Sequence, residues 1–170
     1  MNKRDIGLIV AGAVLALDQL VKLIVLYGCG VVHFGPGQSA SLLPFFNLVM
    51  VWNPGISFGL FPADSPEGTV ILATLQILIV CGLGWWLLWH VHTRTLAIGL
   101  GLVIGGALGN LIDRLIYGRV ADFFHFFALG YDWYVFNIAD AAITLGVLGL
   151  LYDALAKPDA PKGQGQAEKE

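Results

Sequence analysis

The chain has 170 residues, 57% of them hydrophobic and only 12% charged, and a formal net charge of -3. So little charge on so apolar a chain excludes an ordinary soluble domain and marks an integral membrane protein. With no basic cluster, nucleic acid is excluded as a partner.

The first predicted span runs from Ile6 to Leu26 and is interrupted only by "DQLVK", Asp18 to Lys22. Met1 to Asp5 has the look of a signal-peptide n-region, but no small-x-small site follows where "ALDQLVK" stands, so this helix is expected to be retained. Residues 28–69 form a long outer loop. Within it "LLPFFNLVMVW" (42–52) reads as strand-like and "NPG" as a turn.

Val70 to Trp89 is an uninterrupted second span, and Leu96 to Ile112 a short, glycine-rich third. Gly105, Gly106 and Gly109 point to close helix packing, expected within the molecule. Val135 to Leu155 is the fourth. Four spans of roughly 20 residues use about half of the chain and leave no room for a second soluble domain. The expected fold is an all-α membrane protein with four transmembrane helices, one domain over residues 1–156. The tail "KPDAPKGQGQAEKE" (157–170) has no large apolar residue and is expected to be disordered.

An even number of spans puts both termini on one side. Lys3, Arg4, Arg94, Lys157, Lys162 and Lys169 fall on that side, and Lys22, Arg114 and Arg119 near the other. The bias predicts cytoplasmic termini. Trp85, Trp86 and Trp89 mark the inner interface, and Tyr27, Trp52, Trp133 and Tyr134 the outer one.

An aspartate at bilayer depth costs about 2.5 to 3.5 kcal/mol, so acidic residues near spans are functional candidates. Asp18, Asp113, Asp122 and Asp140 all fall at or near outer helix ends. Asn110 and Asp113, like Asn137 and Asp140, are one turn apart, so each amide can share a face with a carboxylate. Helix capping is the alternative reading for Asp140, but it does not account for Asp122. That residue lies in the apolar segment "RVADFFHFF", where burial would keep a carboxyl protonated. Two carboxyls sharing one proton can activate water while protonating a leaving group, as in aspartic proteases.

Asp18 with Lys22 at i, i+4 and Asp113 beside Arg114 carry their own counter-charges and read as structural. A lipid or substrate head group could also use Lys22 or Arg114. A helix beginning near Asp140 would favour its ionised form, making Asp140 the base and Asp122 the acid.

Other patterns weigh less. "GISFG" around Ser57 matches a serine nucleophile elbow but lacks the large parallel sheet that motif needs. His33, His90, His92 and His125 are scattered and form no zinc-protease motif. His125 could touch Asp122 if the segment were helical. Asp132 and Asp153 read as a solvated face or helix end. Cys29 and Cys81 read as small apolar residues, with no disulfide or metal signalled. A transporter or proton channel would spread its carboxylates through the membrane depth, whereas these gather at one end. An inert scaffold would leave that gathering unexplained.

Together "DQLVK", "NPGISFGL", "GGALGNLIDR", "GRVADFF" and "FNIADAAITLG" closely resemble the lipoprotein signal peptidase family, bacterial signal peptidase II. The resemblance covers the chain from Asp18 to about Gly146. It implies a four-helix inner-membrane aspartic protease with a small outer β-sheet at the membrane surface. Such an enzyme removes the signal peptide of diacylglyceryl-modified prolipoproteins by cutting before the lipidated cysteine. No metal or cofactor is implied, and the partners are those substrates and membrane lipids, with the chain expected as a monomer. The catalytic pair would be Asp122 and Asp140. Asp18, Lys22, Asn53, Gly55, Asn110, Asp113, Arg114 and Asn137 would support substrate or site. Pro54, and Tyr134 with Val135, depart from the family's frequent pattern and bear on loop shape.

Overall fold

The computed structural model describes residues 1–55, 65–128 and 131–156. Ser57 and the tail, for which a nucleophile and disorder were weighed, lie outside the described residues. Among the described residues four helices are long and apolar enough to cross a membrane. They are α1 (Lys3–Leu23, continued by a wider turn at Ile24–Gly28), α2 (Pro66–Trp89), α3 (Arg94–Tyr117) and α4 (Ile138–Leu155). The protein is a multi-pass membrane protein.

Each helix starts at a side chain able to satisfy a free backbone N–H. The caps are Asn2, Ser65, Thr93 and Asn137, and Pro66 occupies the first turn of α2. Helix α3 ends at Gly118, whose φ of 70° is left-handed. The predicted third span, ending at Ile112, was too short. Asp113 and Arg114 are polar yet continue the helix to Tyr117, because their partners lie inside the protein. The fourth helix begins at Ile138 rather than Val135, where the Asn137 cap sets its start.

Helix α3 is buried along most of its length, packed against α1 and α4, with α2 on its outside. The glycines make this possible within the molecule. A Cβ on Gly105 would stand 2.5 Å from the Ala11 carbonyl oxygen of α1, and one on Gly106 equally close to that of Ala139 in α4. Helix α2 leaves Val70, Ile71, Leu75, Leu78 and Ile79 exposed. So large an apolar surface fits lipid, not water.

At one end of the bundle lies an antiparallel sheet in the order β1 (Ala40–Leu43), β2 (Phe46–Asn53), β3 (Val120–Ala128), β4 (Tyr131–Asp132). The strand-like reading of 42–52 falls on its first two strands. Val25, Val31, Leu48 and Phe123 form the core joining sheet to α1. A second core, around Leu87, Ala97 and Leu100, closes the opposite end. There Lys3 and Arg4 donate to the carbonyls of His92 and Leu88.

Some minor expectations change. Asp153 is not solvated but buried, and accepts a hydrogen bond from the Thr93 hydroxyl. Asp132 is exposed, as read. Both cysteines are free and exposed on the protein surface. His125 sits in β3 with Nε2 3.4 Å from Asp132. In a strand a residue three places from Asp122 points to the opposite face, so the helical contact does not form.

Candidate active site

Strands β2 and β3 and the start of α4 carry part of the site, and the sheet register fixes their relation. Strand β3 pairs with β2 so that Val51 faces Asp122 and Asn53 faces Val120. On its other side, the Phe124 N–H donates to the Phe136 carbonyl at 2.9 Å, and the Phe136 N–H to that of Phe124 at 3.1 Å. This bridge delivers the chain into α4 beside β3. Asn137 and Asp140 are thereby brought next to Asp122.

Asn137 and Asp140 form a capping box. The Asp140 N–H donates to Asn137 Oδ1 (3.0 Å), and the Asn137 N–H to Asp140 Oδ2 (3.3 Å). The capping expected for Asp140 is therefore present. It leaves the Asn137 amide nitrogen free to donate to Asp122 Oδ1 (2.7 Å) and Asn110 Oδ1 (3.1 Å). Asn110 Nδ2 in turn donates to Asp140 Oδ1 (2.9 Å). The two carboxyls thus sit in one network, linked by two amides. The sequence spacing suggested that each asparagine would serve the aspartate on its own helix face. Instead Asn110 reaches from α3 to α4, and Asn137 reaches from α4 to β3.

Asp122 Oδ2 accepts from Asn53 Nδ2 at 3.0 Å. That amide nitrogen also reaches the Tyr134 hydroxyl at 3.1 Å, and Asn53 Oδ1 accepts from the Gly55 N–H at 3.0 Å. Asn53 therefore holds the turn through Pro54 against the site. Asp122 is 1% exposed. Burial, and next the negative charge of Asp140, push its carboxyl up to about 8, against the lowering pull of Asn53. It holds its proton at neutral pH.

Behind the carboxyls lies a buried ionic cluster. Lys22 Nζ is 2.8 Å from Asp18 Oδ2 and 2.8 Å from Asp113 Oδ2, and donates to Asn110 Oδ1 at 3.3 Å. An ammonium has three N–H groups, so all are used and Lys22 has none left for a head group. Its contact with Asn110 also fixes that amide's orientation, because only oxygen can face a lysine. Asp113 takes its counter-charge from Lys22 rather than from neighbouring Arg114. Arg114 turns the other way, donating to the Gly55 carbonyl (2.5 Å) and Gln76 Oε1 (3.2 Å), while its buried Nε has no hydrogen-bond partner among the described residues.

The structure thus brings all ten predicted residues together, and adds three. Gln19 Nε2 donates to Asp18 Oδ2 (3.2 Å) and contacts Asp113 Oδ1 (3.4 Å). Gln76 ties Arg114 to α2 and donates to the Ala107 carbonyl at 2.6 Å. Tyr134 supports Asn53. A carboxamide inside an apolar span was the available signal for both glutamines, since such a group must find a partner away from water.

A bundle of four spans, with a buried, amide-linked pair of carboxyls where a small sheet meets one end, is an arrangement suited to acid–base chemistry in a membrane enzyme. Residues 10–156 match the signal peptidase (SPase) II family. The chain is 45% identical over 166 residues to a lipoprotein signal peptidase of Rhodopseudomonas palustris (strain TIE-1), covering 95% of this chain and 99% of that one. It is 47% identical over 156 residues to one of Methylorubrum extorquens (strain PA1), covering 91% and 89%. Among solved structures it is similar to a bacterial membrane enzyme determined by the in meso method at 2.3 Å resolution. That match has a TM-score of 0.76 and 28% identity, over 95% of this chain and 94% of that one. The chain belongs to the signal peptidase II family and is a membrane peptidase.

Proposed function

We propose that this protein is an aspartic endopeptidase that removes the signal peptide from diacylglyceryl-modified prolipoproteins by cutting before the lipidated cysteine. The observation that carries the reading is the single hydrogen-bonded network holding Asp122 and Asp140. The names of the relatives support the substrate class. The position of the network where sheet meets spans supports a scissile bond held at the membrane surface by the substrate's own acyl chains.

In this reading Asp140, at the first turn of α4, is the base and Asp122 the acid. Asp140 takes a proton from a water as its oxygen attacks the scissile carbonyl carbon, while the Asp122 proton is directed at the carbonyl oxygen. The tetrahedral intermediate collapses as Asp140 passes its proton to the leaving nitrogen and the C–N bond breaks. Asp122 recovers its proton as the new carboxyl forms. Asn110 and Asn137 keep the two carboxyls in place, and Arg114 meets the substrate backbone or head group.

The termini lie in the cytoplasm, the site faces outward from the inner membrane, and the enzyme works as a monomer over residues 1–156. Mass spectrometry of products made from one precursor, with and without its diacylglyceryl group, tests the reading. The expected result is one cut, immediately before the lipidated cysteine, on the modified precursor alone. Equal cutting of both forms, or a cut elsewhere, would refute the substrate assignment.

A further inference from the structure

The ionic cluster beneath the site has a symmetry that neither helix packing nor charge balance requires. Asp18 Oδ1 accepts the backbone N–H of Ala139 at 2.9 Å, and Asp113 Oδ2 accepts that of Ala121 at 3.1 Å. Ala139 immediately precedes Asp140, and Ala121 immediately precedes Asp122. The same two carboxylates are joined through Lys22, at 2.8 Å on each side. Its third contact, to Asn110 Oδ1, aims the amide that holds Asp140.

We propose that Lys22 is a positioning residue that sets the spacing of the two aspartate-bearing segments, drawing together Asp18 and Asp113, each of which grips the main chain just before one aspartate. The inference rests on the reading of Asp122 and Asp140 as the catalytic pair. Three elements with no covalent proximity, α1, α3 and the start of α4, are referred through this ammonium to one point, and β3 is referred to it through Asp113.

Stability alone is a poor reason for the arrangement. A buried ion cluster repays its desolvation only partly and is often replaceable by neutral groups at no loss of stability. This one also carries two carboxylates for one ammonium, leaving an excess negative charge toward which the N–H groups of Ala139, Ala121 and Gln19 donate. What the charges supply that neutral packing does not is a short, directional reach to two backbone segments at once. Gln19, spanning the same two carboxylates, reinforces the link.

The test compares wild type with Lys22→Met, with the fully neutral Lys22→Met/Asp18→Asn/Asp113→Asn, and with Asp122→Asn and Asp140→Asn, as full-length protein purified in detergent. The readouts are thermal unfolding, kcat and KM on a lipidated precursor, and the pH dependence of kcat. The neutral triple variant leaves no uncompensated buried charge, so it reports on position if Lys22→Met fails to fold. Both Lys22 variants should lose about 100-fold in kcat, the cost of a small misplacement of reacting groups, with KM within about twofold of wild type. In Lys22→Met the alkaline limb should move to higher pH, because the ammonium that pulls the Asp122 carboxyl down is gone.

A folded triple variant with the kcat of wild type would overturn the proposal. Activity surviving in Asp122→Asn or Asp140→Asn would instead sink the catalytic reading on which it rests.

Discussion

Asn137 Nδ2 donates to Asp122 Oδ1 across 2.7 Å, joining the cap of α4 to β3. The same side chain caps the helix through its oxygen, so one residue both starts α4 and orients a carboxyl. Asn137→Ala should therefore lose activity and stability together. We expect a fall of about 100-fold in kcat and a stability loss of about 1 to 3 kcal/mol, from the lost cap and the donor lost at Asp122 Oδ1, while Oδ2 keeps Asn53. Kinetics and denaturant unfolding in the same detergent check both; an unfolding curve superimposable on wild type would contradict the capping role.

The raised Asp122 carboxyl makes a prediction about pH. Its folded-state value of about 8 lies above the ordinary value of about 4 that it regains on unfolding. The native state therefore binds the extra proton between those values, and its stability falls as pH rises through that window. Asp122→Asn has no proton to lose there. Its melting temperature should rise relative to wild type on going from about pH 5 to about pH 9. Catalysis by wild type should show an alkaline limb with an apparent value of about 8, when the shared proton leaves. A flat difference in melting temperature across the range would show that Asp122 titrates normally.

Arg114 holds the Gly55 carbonyl and Gln76 with different arms of its guanidinium. Lysine keeps the charge but cannot make that fork. Arg114→Lys should lower kcat/KM by about tenfold or more, whereas Gln76→Leu, which removes only the tether to α2, should cost less. Steady-state kinetics of the two variants rank them; a larger loss in Gln76→Leu would reverse the assignment.

Close helix approach is testable at two glycines of α3. Gly105→Ala would press on the Ala11 carbonyl of α1, and Gly106→Ala on the Ala139 carbonyl of α4. Each should lower stability by about 1 to 3 kcal/mol through overpacking. Only Gly106→Ala pushes directly on the residue before Asp140, so its activity should fall further than its melting temperature alone explains. Equal activities at equal stability would argue that the first turn of α4 absorbs the strain.

Much of this was legible in the residues. Apolar runs indicated the spans, and carboxylates near helix ends indicated the layer where they gather, because both follow from the cost of polarity in hydrocarbon. Pairings were not legible. Asn110 and Asp113 share a helix spacing, yet Asn110 serves Asp140 and Asp113 serves Ala121. Those choices depend on sheet register and helix crossing, which local periodicity does not encode. The apolar run "VADFFHFFA" likewise fits a buried strand or a short helix, and only its pairing with β2 and Phe136 decides. Asp153 sits at a helix end, but its burial was not legible, because its partner Thr93 is the cap of α3, far away in sequence.

The central claim is that Asp122 and Asp140 together carry the chemistry. Cleavage of a diacylglyceryl-modified prolipoprotein by purified wild type, Asp122→Asn and Asp140→Asn, with chelator present throughout, tests it most directly. The account predicts that wild type cuts before the lipidated cysteine and that both variants fold but are inactive. Full activity in either folded variant would contradict it.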